Sequence, residues 1–101
     1  MFDKLMQVQQ QAEEIKKRLD SITVKGEAEG GKISVSSTGN KNITSIQIDD
    51  EFFKSADKEE LEELLAVAVN KALVQAENVH QTEMQALSSN MLGGLGNLFN
   101  G

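Results

Sequence analysis

A chain of 101 residues with 39% apolar residues, 26% charged residues and no proline has the composition of a single folded domain and not of a disordered or fibrous polymer. The lack of cysteine excludes disulfides, zinc–thiolate centres and thiol nucleophiles, and it fits a reducing cytoplasm. A net charge of −6 argues against polyanion partners only until the charges are placed along the chain. Residues 1–48 carry seven basic and six acidic groups, whereas residues 49–63 carry eight acids against Lys54 and Lys58. Exposed charges act over a screening length of roughly 8 Å in physiological salt, so a local acidic cluster leaves room for a basic surface elsewhere.

In chain order, Leu5, Val8, Ala12, Ile15, Leu19 and Ile22 recur at steps of three and four among glutamines and charges. This spacing predicts an amphipathic helix over residues 2–20, about 28 Å long, whose narrow apolar seam suits packing against another helix. No secretory leader is expected, because Asp3 and Lys4 are followed by glutamines and not by an apolar run. From Ile22 the period falls to two. Ile22, Val24, Gly26 and Ala28 share one face of a first strand, Gly30-Gly31 permits a tight turn, and Ile33, Val35 and Ser37 line a second strand. Gly39-Asn40 marks the next turn, and Thr44, Ile46 and Ile48 line a third strand, with Ile43 on the opposite face as the mark of a bulge or an interface. Three strands with one apolar face each form a meander that the long helices must cover.

The acidic connection 49–56 carries Phe52-Phe53 as its anchor to the core. Asp57 is placed to cap a second long helix, with Glu59, Glu60, Glu62 and Glu63 complementing the positive end of its dipole. That helix is expected over 58–87, about 45 Å long, which exceeds what a three-stranded sheet can cover, so part of it should project or meet a second subunit. Residues 1–90 are expected to form one domain and the glycine-punctuated residues 91–101, with Leu92, Leu95, Leu98 and Phe99, a flexible tail. Residues 84–101 are uncharged but too diluted by Ser, Asn, Gln and Gly to span a bilayer.

Catalysis and cofactor binding find little support. His80 has no second histidine or cysteine with which to share a metal. Asp49-Asp50-Glu51 lacks the alternating ligands and central glycine of a calcium loop. Gly93-Gly94-Leu95-Gly96 lacks the strand and helix of a dinucleotide fingerprint. What remains is a set of cations on the first helix, Lys4, Lys16, Lys17 and Arg18, among glutamines. Lys4, Gln11 and Arg18 are seven apart, a spacing that aligns them beside the apolar seam, where long side chains reach phosphate oxygens. A dimer would present two such patches at fixed separation as one bivalent surface.

The stretches Val24-Lys25-Gly26-Glu27, Gly31-Lys32-Ile33-Ser34-Val35, Ile46-Gln47-Ile48-Asp49 and Leu61-Glu62-Glu63-Leu64-Leu65-Ala66-Val67-Ala68-Val69-Asn70-Lys71-Ala72 resemble the YbaB/EbfC family of bacterial nucleoid-associated proteins over most of the chain. The resemblance implies an α+β, α-β-β-β-α fold, a homodimer with helices projecting like tweezers, sequence-tolerant duplex DNA binding, and a place in the nucleoid with links to recombination, repair and gene regulation. It implies no enzyme activity, cofactor, small-molecule substrate or membrane partner. Lys16, Lys17, Arg18 and Lys71 match the family's basic positions; Leu73, Val74 and Gln75 stand where many relatives carry basic residues, and Asp50 replaces a usual proline. The phosphate contacts expected on this basis are Lys4, Lys16, Lys17, Arg18, Lys25 and Lys71, assisted by Gln11. The expected dimer interface comprises Leu5, Val8, Ala12, Ile15, Leu65, Val69 and Leu73. The competing reading is a dimeric protein-interaction module that uses the apolar tail and the middle of the second helix, with little DNA affinity.

Overall fold

A computed structural model describes residues 2–100, with side chains described for residues 6–87. Lys4, Leu5 and the apolar side chains of the expected tail therefore lie outside the described side chains. The elements follow the order α1 (Phe2–Ser21), β1 (Thr23–Ala28), β2 (Ile33–Thr38), β3 (Ile43–Ile48), α2 (Asp50–Ser55) and α3 (Lys58–Asn100).

Helix α1 ends where the chain must turn into the sheet. Ser21 Oγ donates to the Arg18 carbonyl at 2.6 Å, and the amide of Gly39, just past β2, donates to the Leu19 carbonyl at 2.9 Å. These bonds occupy carbonyls that the last helical turn leaves without intrahelical partners. Leu19 is 1% exposed and pins the helix end to the sheet.

The sheet is antiparallel, in the order β1-β2-β3. Left-handed backbone at Glu29, Gly30 and Gly31 makes the first turn, and Lys41 adopts the same region in the second. On the covered face Gly26 pairs with Val35, and Val35 with Ile46. Of the two readings open for Ile43 the bulge is found: the register shifts between Ser36 and Ser37 and sets Ile43, and not the expected Thr44, opposite the buried Ser37. The extra residue restores the alternation, so Ile43, Ile46 and Ile48 point to one side.

The acidic connection is not a plain loop. Asp49 accepts from the Phe52 amide at 3.1 Å and so caps the short helix α2. Only Phe52 enters the core; Phe53, expected to share the anchoring, remains 59% exposed. Helix α3 then crosses back over β1 and β2. Its Ala68, Ala72 and Ala76 are fully buried, and a Cβ at Gly26 would stand 2.2 Å from both the Ala68 oxygen and the Ala72 nitrogen. Small residues on both elements thus bring the helix backbone directly onto the strand. The core consists of Ala28, Ile33, Val35, Phe52, Ala68 and Ala72. At 43 residues, α3 is about 65 Å long, and it extends well past the sheet.

Candidate nucleic-acid interface

The meander sorts charge along the molecule. Each strand has six residues and carries the chain roughly 20 Å from one end of the sheet to the other. α1 ends at the edge where β1 begins, β2 finishes and β3 starts, while α2 and the start of α3 follow the far end of β3. The eight acids of residues 49–63 therefore gather at one end, and Lys16, Lys17, Arg18 and the turn residue Lys41 at the other. The separation exceeds the screening length of roughly 8 Å, so the acidic end does not neutralise the basic one.

At the basic end, burial of Leu19 fixes the azimuth of α1. A helix advances 100° per residue, so Lys17 points away from the sheet while Lys16 and Arg18 flank it on opposite sides. All three are exposed. On one flank, the Lys16 carbonyl accepts from Asn40 Nδ2 at 2.9 Å, and the same amide donates to Asp20. On the other, Arg18 Nη1 donates to Glu83 Oε2 at 3.0 Å. Gln11 and Arg18, both exposed, line one cleft beside α3 together with Glu14 and Glu83.

Lys41 was not among the residues singled out from the sequence. Its ammonium pairs with the Glu77 carboxylate. That contact, first through the hydrogen bond from Lys41 and then through its charge, holds the Glu77 carboxyl below its ordinary value. The only available signal in the sequence was a lysine in a Gly-Asn-Lys-Asn turn, and its position beside α1 depends on the pairing of β2 with β3.

Lys25 and Lys71 are exposed and line a second groove of about 560 Å³, beside β1, with Glu27 and Gln75. The structure thus joins Lys25 to Lys71 and Gln11 to Arg18 without merging the two sets in one groove. A third groove of about 290 Å³ runs between α1 and α3, where Ala12, Ile15 and Leu19 face a half-buried His80, Met84 and Leu87. Among the described residues no cluster of three metal-binding side chains occurs, and no helix is long and apolar enough to cross a membrane.

The residues expected at a dimer interface have mixed placements. Val8 is 45% exposed, Ala12 is exposed and Ile15 half-buried. Leu65 and Val69 pack partly buried against the chain's own core, and Leu73 is half-buried. Besides Val8, the large apolar groups left exposed among the described residues are Met6, Ile46, Phe53, Val67, Val74 and Met84.

Comparison with known proteins agrees with this architecture. The fold resembles a crystal structure of an uncharacterized protein from Helicobacter pylori, with a TM-score of 0.64 at 24% identity over 86% of this chain and 96% of that one. A nucleoid-associated protein of Flavobacterium johnsoniae is 35% identical, the alignment covering 98% of this chain and 94% of the relative. A nucleoid-associated protein of Koribacter versatilis is 39% identical over 86% of this chain and 82% of its own. The YbaB/EbfC DNA-binding family matches residues 1–91; with nine-tenths of its length inside that pattern, the chain belongs to this family.

Proposed function

We propose that the protein is a homodimer that grips duplex DNA without catalysis and contributes to nucleoid organisation. The observation that carries this reading is the segregation of charge in a member of a DNA-binding family: a chain of net charge −6 keeps Lys16, Lys17, Arg18 and Lys41 at the end of the sheet opposite the eight acids of residues 49–63. Phosphate contacts from this end would position the duplex without reading its sequence. Gln11 adds an uncharged hydrogen bond, and Lys25 with Lys71 supplies a second pair of cations. Sequence tolerance follows from the same chemistry, since phosphates are alike at every base pair. Roles in recombination, repair or gene regulation would follow from occupancy of the chromosome.

The dimer is supported by a sheet that its own helix covers only in part. α3 lies over β1 and β2, and Ile46, on the helix side of β3, stays 47% exposed. Exposed Phe53 and Val67 extend the apolar surface that a second copy would remove from water. The same exposed groups favour the competing reading, in which a different protein docks there and DNA affinity is low.

Titration of a fluorescent duplex at two salt concentrations, with mass measured by light scattering, separates these readings. If the dimer neutralises about six phosphates, the log–log salt slope should be roughly −5. Alanine at Lys16, Lys17 and Arg18 together should weaken binding to all sequences alike. A flat salt response, or a triple variant that binds as the parent does, overturns the assignment.

A further inference from the structure

Residues 64–101 contain only two acids, Glu77 and Glu83, and both are engaged with cations of the basic end. Glu83 holds Arg18 at 3.0 Å, and Glu77 holds Lys41 while also accepting from Gln81 Nε2 at 3.2 Å. The remaining acids of α3 lie in its first turns, at the opposite end of the sheet. Two isolated carboxylates, on a stretch of helix whose other formal charge is Lys71, thus meet two cations brought in by different elements, one from α1 and one from the β2–β3 turn.

We propose that Glu77 and Glu83 are built-in competitors of phosphate, which occupy Lys41 and Arg18 in the free protein and lower its affinity for DNA. The inference rests on the reading of the basic end as the DNA-binding surface. A carboxylate and a phosphate present the same kind of acceptor to a guanidinium or ammonium group, so a cation engaged with one must be withdrawn before it serves the other. Arg18 is 63% and Lys41 50% exposed in these pairs, which makes the contacts weak enough for a polyanion to displace. Release has a second consequence. The Arg18–Glu83 pair ties α1 to α3, two helices that otherwise touch little, so capture of a phosphate by Arg18 frees the arms to adjust around the duplex. The acids set the affinity in a middle range, as suits a protein that must exchange along a chromosome.

The test uses the full chain and a fluorescein-labelled duplex of mixed sequence, with affinity read by anisotropy at low salt. Glu83→Gln and Glu77→Gln keep the shape of each side chain and remove its charge. Each should tighten binding about two- to fivefold, the range set by the strength of exposed ion pairs, and the double variant by about the product. Glu62→Gln changes net charge equally but sits with Lys58 at the acidic end, so it should tighten binding much less. In an Arg18→Ala background the gain from Glu83→Gln should vanish. A parent that binds DNA, with Glu83→Gln and Glu77→Gln no tighter than Glu62→Gln, overturns the competitor role and leaves the DNA-binding reading intact. Failure of the parent and of the double variant alike to bind overturns both.

Discussion

Gly26 sits where α3 crosses β1, and its missing side chain is what lets the two backbones meet. A methyl group there would stand 2.2 Å from backbone atoms of Ala68 and Ala72, which cannot rotate aside. Gly26→Ala should therefore lift the helix and cost about 3 kcal/mol, the upper end for overpacking a well-filled site. Urea unfolding reads this directly, and a loss under about 0.5 kcal/mol would show that the helix does not lie so close. Glu77 offers a test by titration. Lys41 lowers its carboxyl pKa in the folded chain, so the unfolded chain takes up the proton first as acid is added. The stabilisation is complete above the unfolded value of 4.5 and is lost as pH falls through the lower folded value. Carboxyl NMR should show Glu77 titrating below its ordinary range in the parent and returning toward it in Lys41→Ala.

Among the elements, α2 is the clearest case of neighbours with different tasks. The cap from Asp49 fixes the start of the helix, and this sets Phe52 into the core while Phe53 faces outward. Phe52→Ala should cost about 3–5 kcal/mol, with Lys32, whose ammonium lies 5.7 Å from the ring centre, losing a partner as well. Phe53→Ala should change the stability of an isolated chain by no more than about 0.5 kcal/mol. Equal losses in thermal or urea unfolding would contradict the placement of the two rings. The bulge in β3 has a comparable effect at the level of the strand. By adding one residue between Ser45 and Ile43 in the pairing with β2, it turns Ile43 inward and completes the apolar row that Thr44 could not.

For the whole molecule, the consequence of the meander is a long body with extents of 66 × 24 × 17 Å, with the acidic cluster of residues 49–63 and the cations Lys16, Lys17, Arg18 and Lys41 at opposite ends of its sheet. A single chain leaves Ile46 open beside its own helix, and the proposed dimer closes that gap. Ile46→Glu should leave the helix content by circular dichroism nearly unchanged and shift the light-scattering mass from twice the chain mass toward one. If the substitution leaves the assembly intact, the second copy does not cover β3. DNA affinity of that variant should fall with the dimer, because the two basic ends would no longer act as one bivalent surface.

Much of this was legible from residue order. The switch from a period of three and four to a period of two after Ser21, the glycine turns and the return to helical spacing after Asp57 dictate α-β-β-β-α, because burying one face per element leaves few other solutions. The cations of α1 were legible for the same local reason. Local order could not show that Phe53 stays outside while Phe52 goes in, which of a bulge or an interface Ile43 marks, or that Lys41 joins the basic end. Nor could it show that Arg18 and Lys41 meet Glu83 and Glu77, residues 65 and 36 positions away. Periodicity reports which face of an element is apolar; only the strand register and the path of α3 over the sheet determine which charged groups, distant in sequence, come within reach of each other.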